Sequence, residues 1–170
     1  PLLKINALRD TENATKMMEY WASEGVTSYK AYMHISQDSL GEVIKQAHQR
    51  KQKVTAHLCS VTYREAAELG IDNLEHGFFA ASDFVKDKKK DECPRGVHQS
   101  LVDLDINSDE VNELITFLVE KDVTLTSTLT VFETFTTGRP KAYLKALAAL
   151  IPQVRDQYES RWEKIAKQQG

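Results

Sequence analysis

Ile71-Asp72-Asn73-Leu74-Glu75-His76-Gly77 is the stretch whose reading decides the fold, because its form occurs twice before it. A short apolar or β-branched run ends on a reactive side chain and gives way to a polar, helix-forming stretch. Val26-Thr27-Ser28-Tyr29-Lys30-Ala31-Tyr32 and Lys53-Val54-Thr55-Ala56-His57 have the same form. Lys30, His57 and His76 therefore stand at the ends of three successive strand-like runs. If the strands are parallel neighbours, the three side chains gather at one rim of a sheet. In α/β folds that rim, at the carboxyl ends of the strands, is where ligands bind and chemistry occurs.

Working outward, strand and helix signals alternate along the chain. Thr11 to Glu24 reads as a helix with an apolar stripe of Ala14, Met17, Met18 and Trp21, closed by Gly25. Val26 to Met33 is the first strand. Ser36 or Ser39 caps a second helix that buries Leu40, Val43, Ile44 and Ala47. Val54 to His57 is the second strand, Thr62 to Leu69 a short helix closed by Gly70, and Ile71 to His76 the third strand. Phe78 to Asn107 reads as a long irregular segment, of the kind that forms a lid or binding loop. Ser108 then caps a helix to about Lys121, and the alternation Val123–Val131 predicts a fourth strand. Two helical stretches, Pro140–Leu150 and Val154–Gln168, finish the chain.

Four strands separated by helices, with no hairpin signal, predict parallel pairing through right-handed crossovers. A closed barrel of eight strand–helix units needs about 250 residues, and this chain has 170. The expected fold is α/β: a partial TIM (β/α)8 barrel, read as one domain over residues 1–170.

Composition narrows the function classes. A formal charge of −3, with no basic stripe, gives a nucleic-acid partner little support. The run Lys86–Lys90 reads as a solvated loop. No apolar stretch approaches the ~18 residues needed to cross a bilayer. Cys59 and Cys93 match no zinc or redox spacing and read as two lone thiols, with a disulfide left open. Pro1-Leu2-Leu3-Lys4 has no signal-peptide shape and no initiator Met, so localisation is unread.

Neutral imidazole is the commonest protein ligand for zinc-like ions, and His57 and His76 lie one compact helix-plus-strand step apart. Either alone reads more readily as a structural histidine; the pair at one rim favours a metal. Lys30, in a run expected to be buried, reads as a lysine with a lowered pKa and a nucleophilic amine. That amine could form a Schiff base or a carbamate; a lysine snorkelling to water is the alternative. Tyr32 shares strand parity with Lys30 and is a candidate substrate contact, as is His98 in the long segment. His34 lies just past the first strand, His48 reads as surface, and Tyr63 as packing. No phosphate-binding glycine loop or Gly-x-Ser-x-Gly elbow is present.

At these residues a family resemblance emerges. Glu24–Lys30 resembles the segment around the carbamylated lysine of hydantoinase-like members of the metal-dependent amidohydrolase superfamily. Val54-Thr55-Ala56-His57 resembles that superfamily's fifth-strand metal histidine. Glu68–Gly77 resembles the sixth-strand segment of its imidazolonepropionase-like and prolidase-like branch. The resemblance implies strands four to seven of the barrel and one or two zinc ions, other divalent metals being possible. Lys30, as a bridging carbamate, would bind with His57 and His76. The implied reaction is hydrolysis of C–N bonds in amides, cyclic amides or dipeptides by metal-activated hydroxide, with a small-molecule substrate.

The family's first-strand His-x-His and eighth-strand aspartate are absent, so the chain reads as an internal fragment, inactive alone. Oligomeric state is left open, homo-oligomer included. Two rival readings are a Schiff-base lyase on a (β/α)8 barrel using Lys30 and a non-enzymatic flavodoxin-like binding module.

Overall fold

The computed structural model describes residues 7–168; Pro1–Asn6, which include the Pro1–Lys4 start, and the final Gln169-Gly170 lie outside the described residues. The chain divides into two compact units, Pro1–Ser127 and Thr128–Gly170, where the sequence was read as one domain.

In the first unit the elements run α1 (Thr11–Ser23), β1 (Ser28–Ala31), α2 (Gln37–Gln49), β2 (Lys53–Ala56), α3 (Tyr63–Glu68), β3 (Asn73–Glu75), a 3-10 turn (Gly77–Ala80), α4 (Val97–Val102), α5 (Asp109–Glu120) and β4 (Thr124–Thr126). The helix starts follow from local chemistry. Asp10, Ser36 and Ser108 each accept a backbone N–H of the first turn of α1, α2 and α5. Thr62 and Glu65 cap α3 reciprocally. Gly25, at φ 85°, closes α1 as expected, with its N–H on Ala22 O and the Val26 N–H on Trp21 O.

The four strands are parallel and in sequential order, β1-β2-β3-β4. Helices pack in the same succession, α1 on α2, α2 on α3 and α3 on α5. Crossovers of one hand in sequential order put every helix on the same face. A flavodoxin-like sheet instead reverses its order and carries helices on both faces.

Residue parity agrees. Tyr29, Ala31, Val54, Ala56, Leu74 and Leu125 join Ala14, Met18, Leu40, Ile44, Tyr63 and Leu114 in the core. The opposite parity carries Lys30, Thr55, Asn73, Glu75 and Thr126, none of them buried. A parallel sheet is ordinarily apolar on both faces. Here one face is polar.

Several expectations need correction. The strand read over Val123–Val131 stops at Thr126, and α6 (Leu129–Phe132) follows. Thr128 takes a left-handed φ of 51°, which breaks the extended run that β-branched alternation favours. Cys59 and Cys93 are joined in a disulfide, with Cα atoms 4.8 Å apart, and are not lone thiols.

The segment read as irregular from Phe78 to Asn107 contains the 3-10 turn and α4, and it is pinned along its length. Asp83 accepts the Tyr63 and Arg64 N–H groups at 2.9 and 3.0 Å, Lys88 donates to Ser60 O at 2.6 Å, and Asp91 accepts the Gln37 N–H at 2.6 Å. Lys88 is therefore tethered within a run expected to be fully solvated.

In the second unit, α6 leads into a 3-10 turn (Glu133–Phe135), then α7 (Leu144–Ala148) and α8 (Pro152–Ala166). The helix read from Pro140 begins only at Leu144. Trp162 Nε1 donates to Arg139 O at 3.2 Å and the Ala142 N–H donates to the Tyr158 hydroxyl at 2.8 Å, tying the loop before α7 to α8.

Candidate functional site

The site grows from the polar parity of the sheet. Backbone pairing sets Lys30 beside Thr55, Thr55 beside Asn73, and Glu75 beside Thr126. A directed chain of hydrogen bonds crosses all four strands. The Thr126 hydroxyl donates to Asn73 Oδ1 at 3.0 Å, and Asn73 Nδ2 donates to Thr55 Oγ1 at 2.7 Å. Thr55 Oγ1 in turn donates to Glu75 Oε1 at 3.0 Å, and Lys30 Nζ is ion-paired with Glu75 Oε2. Partial burial alone would push the Glu75 carboxyl up; Lys30, Thr55 and the nearby His76 reverse this and hold it below its ordinary value.

Lys30 corrects the sequence reading. It was expected in a buried strand, yet its side chain is 48% exposed and its Nζ is ion-paired with Glu75. The reason is the open polar face, which sets Lys30 between solvent and the Glu75 carboxylate. In the geometry observed, Lys30 Nζ is engaged by the Glu75 carboxylate.

His57 and His76 do meet. Each follows directly on the last residue of its strand, and their rings stack edge-to-face with centroids 4.4 Å apart. Tyr32, just past β1, packs edge-on against His57 with centroids 5.0 Å apart. Burial, then the neighbouring His76 and Lys30, push the His57 imidazole below its ordinary pKa and favour the neutral ring. His76 adopts a left-handed φ of 73°. That conformation costs a non-glycine residue on the order of 1 kcal/mol, and such strain concentrates at functional sites.

The turn holding His76 is secured from below. The buried Tyr63 hydroxyl lies 3.1 Å from Glu75 O and 2.6 Å from Gly77 O and donates to both carbonyls, bracketing His76. Burial pushes the Tyr63 hydroxyl's pKa up, keeping it a donor. Tyr63 had been read as packing alone.

Two other histidines sit elsewhere. His98 stacks on Phe79 with centroids 4.2 Å apart, and His48 Nε2 is 2.9 Å from Asp72 Oδ2. Glu75, Asn73 and Thr55 were missed by the sequence reading. Period-two parity counted back from His57 reaches Thr55, and register with Lys30 and Thr55 carries the same face to Asn73 and, two residues on, Glu75.

As a metal centre the fit is partial. The paired imidazoles suit a divalent ion, while Lys30 is engaged by Glu75. Among the described residues no group of three or more His, Cys, Asp or Glu is placed to hold a metal ion.

Comparison with known proteins bears on the fold. No family model matches the chain, and no curated protein matches it. A solved Xaa-Pro dipeptidase with methionine bound in its active site matches over 93% of this chain, at 13% identity and a TM-score of 0.50. A chain from Bifidobacterium longum assigned as a prolidase matches over 94%, at 16% identity and the same TM-score. This chain spans 34% and 35% of those two proteins. The likeness is one of fold: a prolidase-like α/β arrangement of parallel strands and helical crossovers.

Proposed function

We propose that this chain is a four-strand arc of a (β/α)8 hydrolase barrel. It would carry part of a divalent-metal site that cleaves amide C–N bonds in small molecules such as dipeptides. The observation that carries this reading is the pair His57–His76, in ring contact at adjacent strand ends, with burial holding the His57 ring toward its neutral form. The fold shared with a Xaa-Pro dipeptidase supports the barrel and the dipeptide class. The chain spans only about a third of that protein, and strands it does not contain would supply the remaining ligands.

His57 and His76 would hold the ion, zinc by the chemistry of the donors, each through one ring nitrogen. Tyr32 braces the His57 ring, and the Tyr63 hydroxyl fixes the turn that aims His76. A divalent ion bound there supplies polarisation of the substrate carbonyl and acidification of a bound water. Lys30, as its carbamate, would join the ligand set only after leaving Glu75.

Zinc content and zinc affinity of the protein, measured with His57→Ala, His76→Ala and His48→Ala, test the proposal. His57→Ala and His76→Ala should each weaken zinc binding on the order of tenfold or more, while His48→Ala leaves it unchanged. Equal zinc binding by all three variants overturns it.

A further inference from the structure

The second unit is chemically unlike the first. Between Thr128 and Gly170 seven Lys and Arg face four Asp and Glu, a net +3, while the whole chain is −3. Part of this excess converges on a cavity of about 240 Å³ lined by Arg139, Arg161, Tyr158, Trp162, Ile165 and Ala166. None of these residues takes part in the site built on the sheet.

Three polar side chains there, those of Arg139, Arg161 and Tyr158, are left in a state to receive an anion. Arg161 lies with its guanidinium carbon 5.0 Å over the Phe135 ring, and among the described residues neither it nor Arg139 forms an ion pair with a carboxylate. The Tyr158 hydroxyl accepts the Ala142 N–H, so its own hydrogen is free to donate. Trp162 donates to Arg139 O and so anchors the backbone that presents the guanidinium. Trp162, Ile165 and Ala166 form an apolar wall beside these donors. Thr134 and Thr136, also at the cavity, spend their hydroxyl hydrogens on Val131 O and Glu133 O, so the anion-facing donors are the two guanidiniums and the phenol.

Two planar guanidinium forks match a carboxylate, which accepts two parallel N–H bonds from each. The apolar wall and the volume match a small hydrocarbon or aromatic group attached to it. We infer that the cavity between the Gly138–Arg139 loop and α8 is a binding site for a small organic carboxylate with an apolar body, sharing no residue with the His57–His76 pair.

The test is titration of the protein with benzoate, benzyl alcohol and inorganic phosphate, followed by calorimetry and by the Trp162 indole N–H resonance. Benzoate should bind and shift that resonance, and the neutral alcohol should bind at least about tenfold more weakly. Arg161→Gln and Arg139→Gln should each lower benzoate affinity on the order of tenfold. Arg161→Lys keeps the charge, removes the fork and should also weaken benzoate. Lys145→Gln, outside the cavity lining, should leave affinity unchanged, with far-UV circular dichroism confirming the fold of every variant. Equal binding of benzoate and benzyl alcohol, or phosphate binding as tightly as benzoate, overturns the carboxylate assignment. No shift at Trp162 with any of the three overturns the site.

Discussion

At the scale of single residues, Asp72 does the most to join separate elements. Its carboxylate takes Lys53 Nζ at 2.6 Å, the Val54 N–H at 2.8 Å and His48 Nε2 at 2.9 Å, linking β2 and α2 to the start of β3. Burial alone would push this carboxyl up; the Lys53, Val54 and His48 contacts reverse it and hold it below its ordinary value. The folded protein therefore binds a proton at Asp72 less readily than the unfolded chain does. The stabilisation is fully present above the unfolded carboxyl's pKa, near 3.9, and is lost as pH falls through the lower folded value. Asp72→Asn should cost about 1–3 kcal/mol in urea unfolding at neutral pH, and its stability should vary less with pH below about 4. Tyr63→Phe removes the donor shared by Glu75 O and Gly77 O and should cost about 1–2 kcal/mol by thermal melting. It should also loosen the His76 turn, visible as faster amide exchange at Gly77. His76 itself was legible in the sequence as a strand-end histidine, whereas its left-handed backbone was not, because that depends on Tyr63, which lies 13 positions earlier.

At the scale of elements, the helices follow closely from local signals. Asp10, Ser36, Thr62 and Ser108 cap where side-chain chemistry says they should, and the apolar spacing of Leu40, Val43, Ile44 and Ala47 becomes a buried face. The segment after His76 is the opposite case. Its composition promises a loose loop, yet Cys93 returns to Cys59, and Asp83, Lys88 and Asp91 fasten it to the starts of α3 and α2. Such contacts are invisible locally because their partners lie 20 to 54 residues away. A disulfide across a 34-residue separation restricts the unfolded chain and should contribute about 3–4 kcal/mol. The double variant Cys59→Ser/Cys93→Ser, or the protein under a dithiol reductant, should therefore unfold at lower denaturant. Trypsin should then cut first within Lys86–Lys90, the run the tether holds down; an unchanged cleavage pattern would show that Asp83 and Asp91 suffice without the disulfide.

At the scale of the whole molecule, the sheet is the telling feature. Among the described residues β1 and β4 each have one neighbouring strand, so two edges present unpaired backbone groups. Self-association that grows with concentration is expected in sedimentation velocity, and Thr124→Lys, placing a charge on the exposed β4 edge, should weaken it. The sequence by itself determined the alternation of strand and helix, the parallel pairing and the placement of Lys30, His57 and His76 at strand ends. These rest on local periodicity, caps and breakers, which act within a few residues. Tertiary structure decided that one sheet face is polar, that Lys30 pairs with Glu75, and that His57 touches His76. It also decided that the fourth strand ends at Thr126 and that the two cysteines bond. Those outcomes depend on register and on groups brought together from distant positions, where a partner's charge and the exclusion of water override what each residue favours alone.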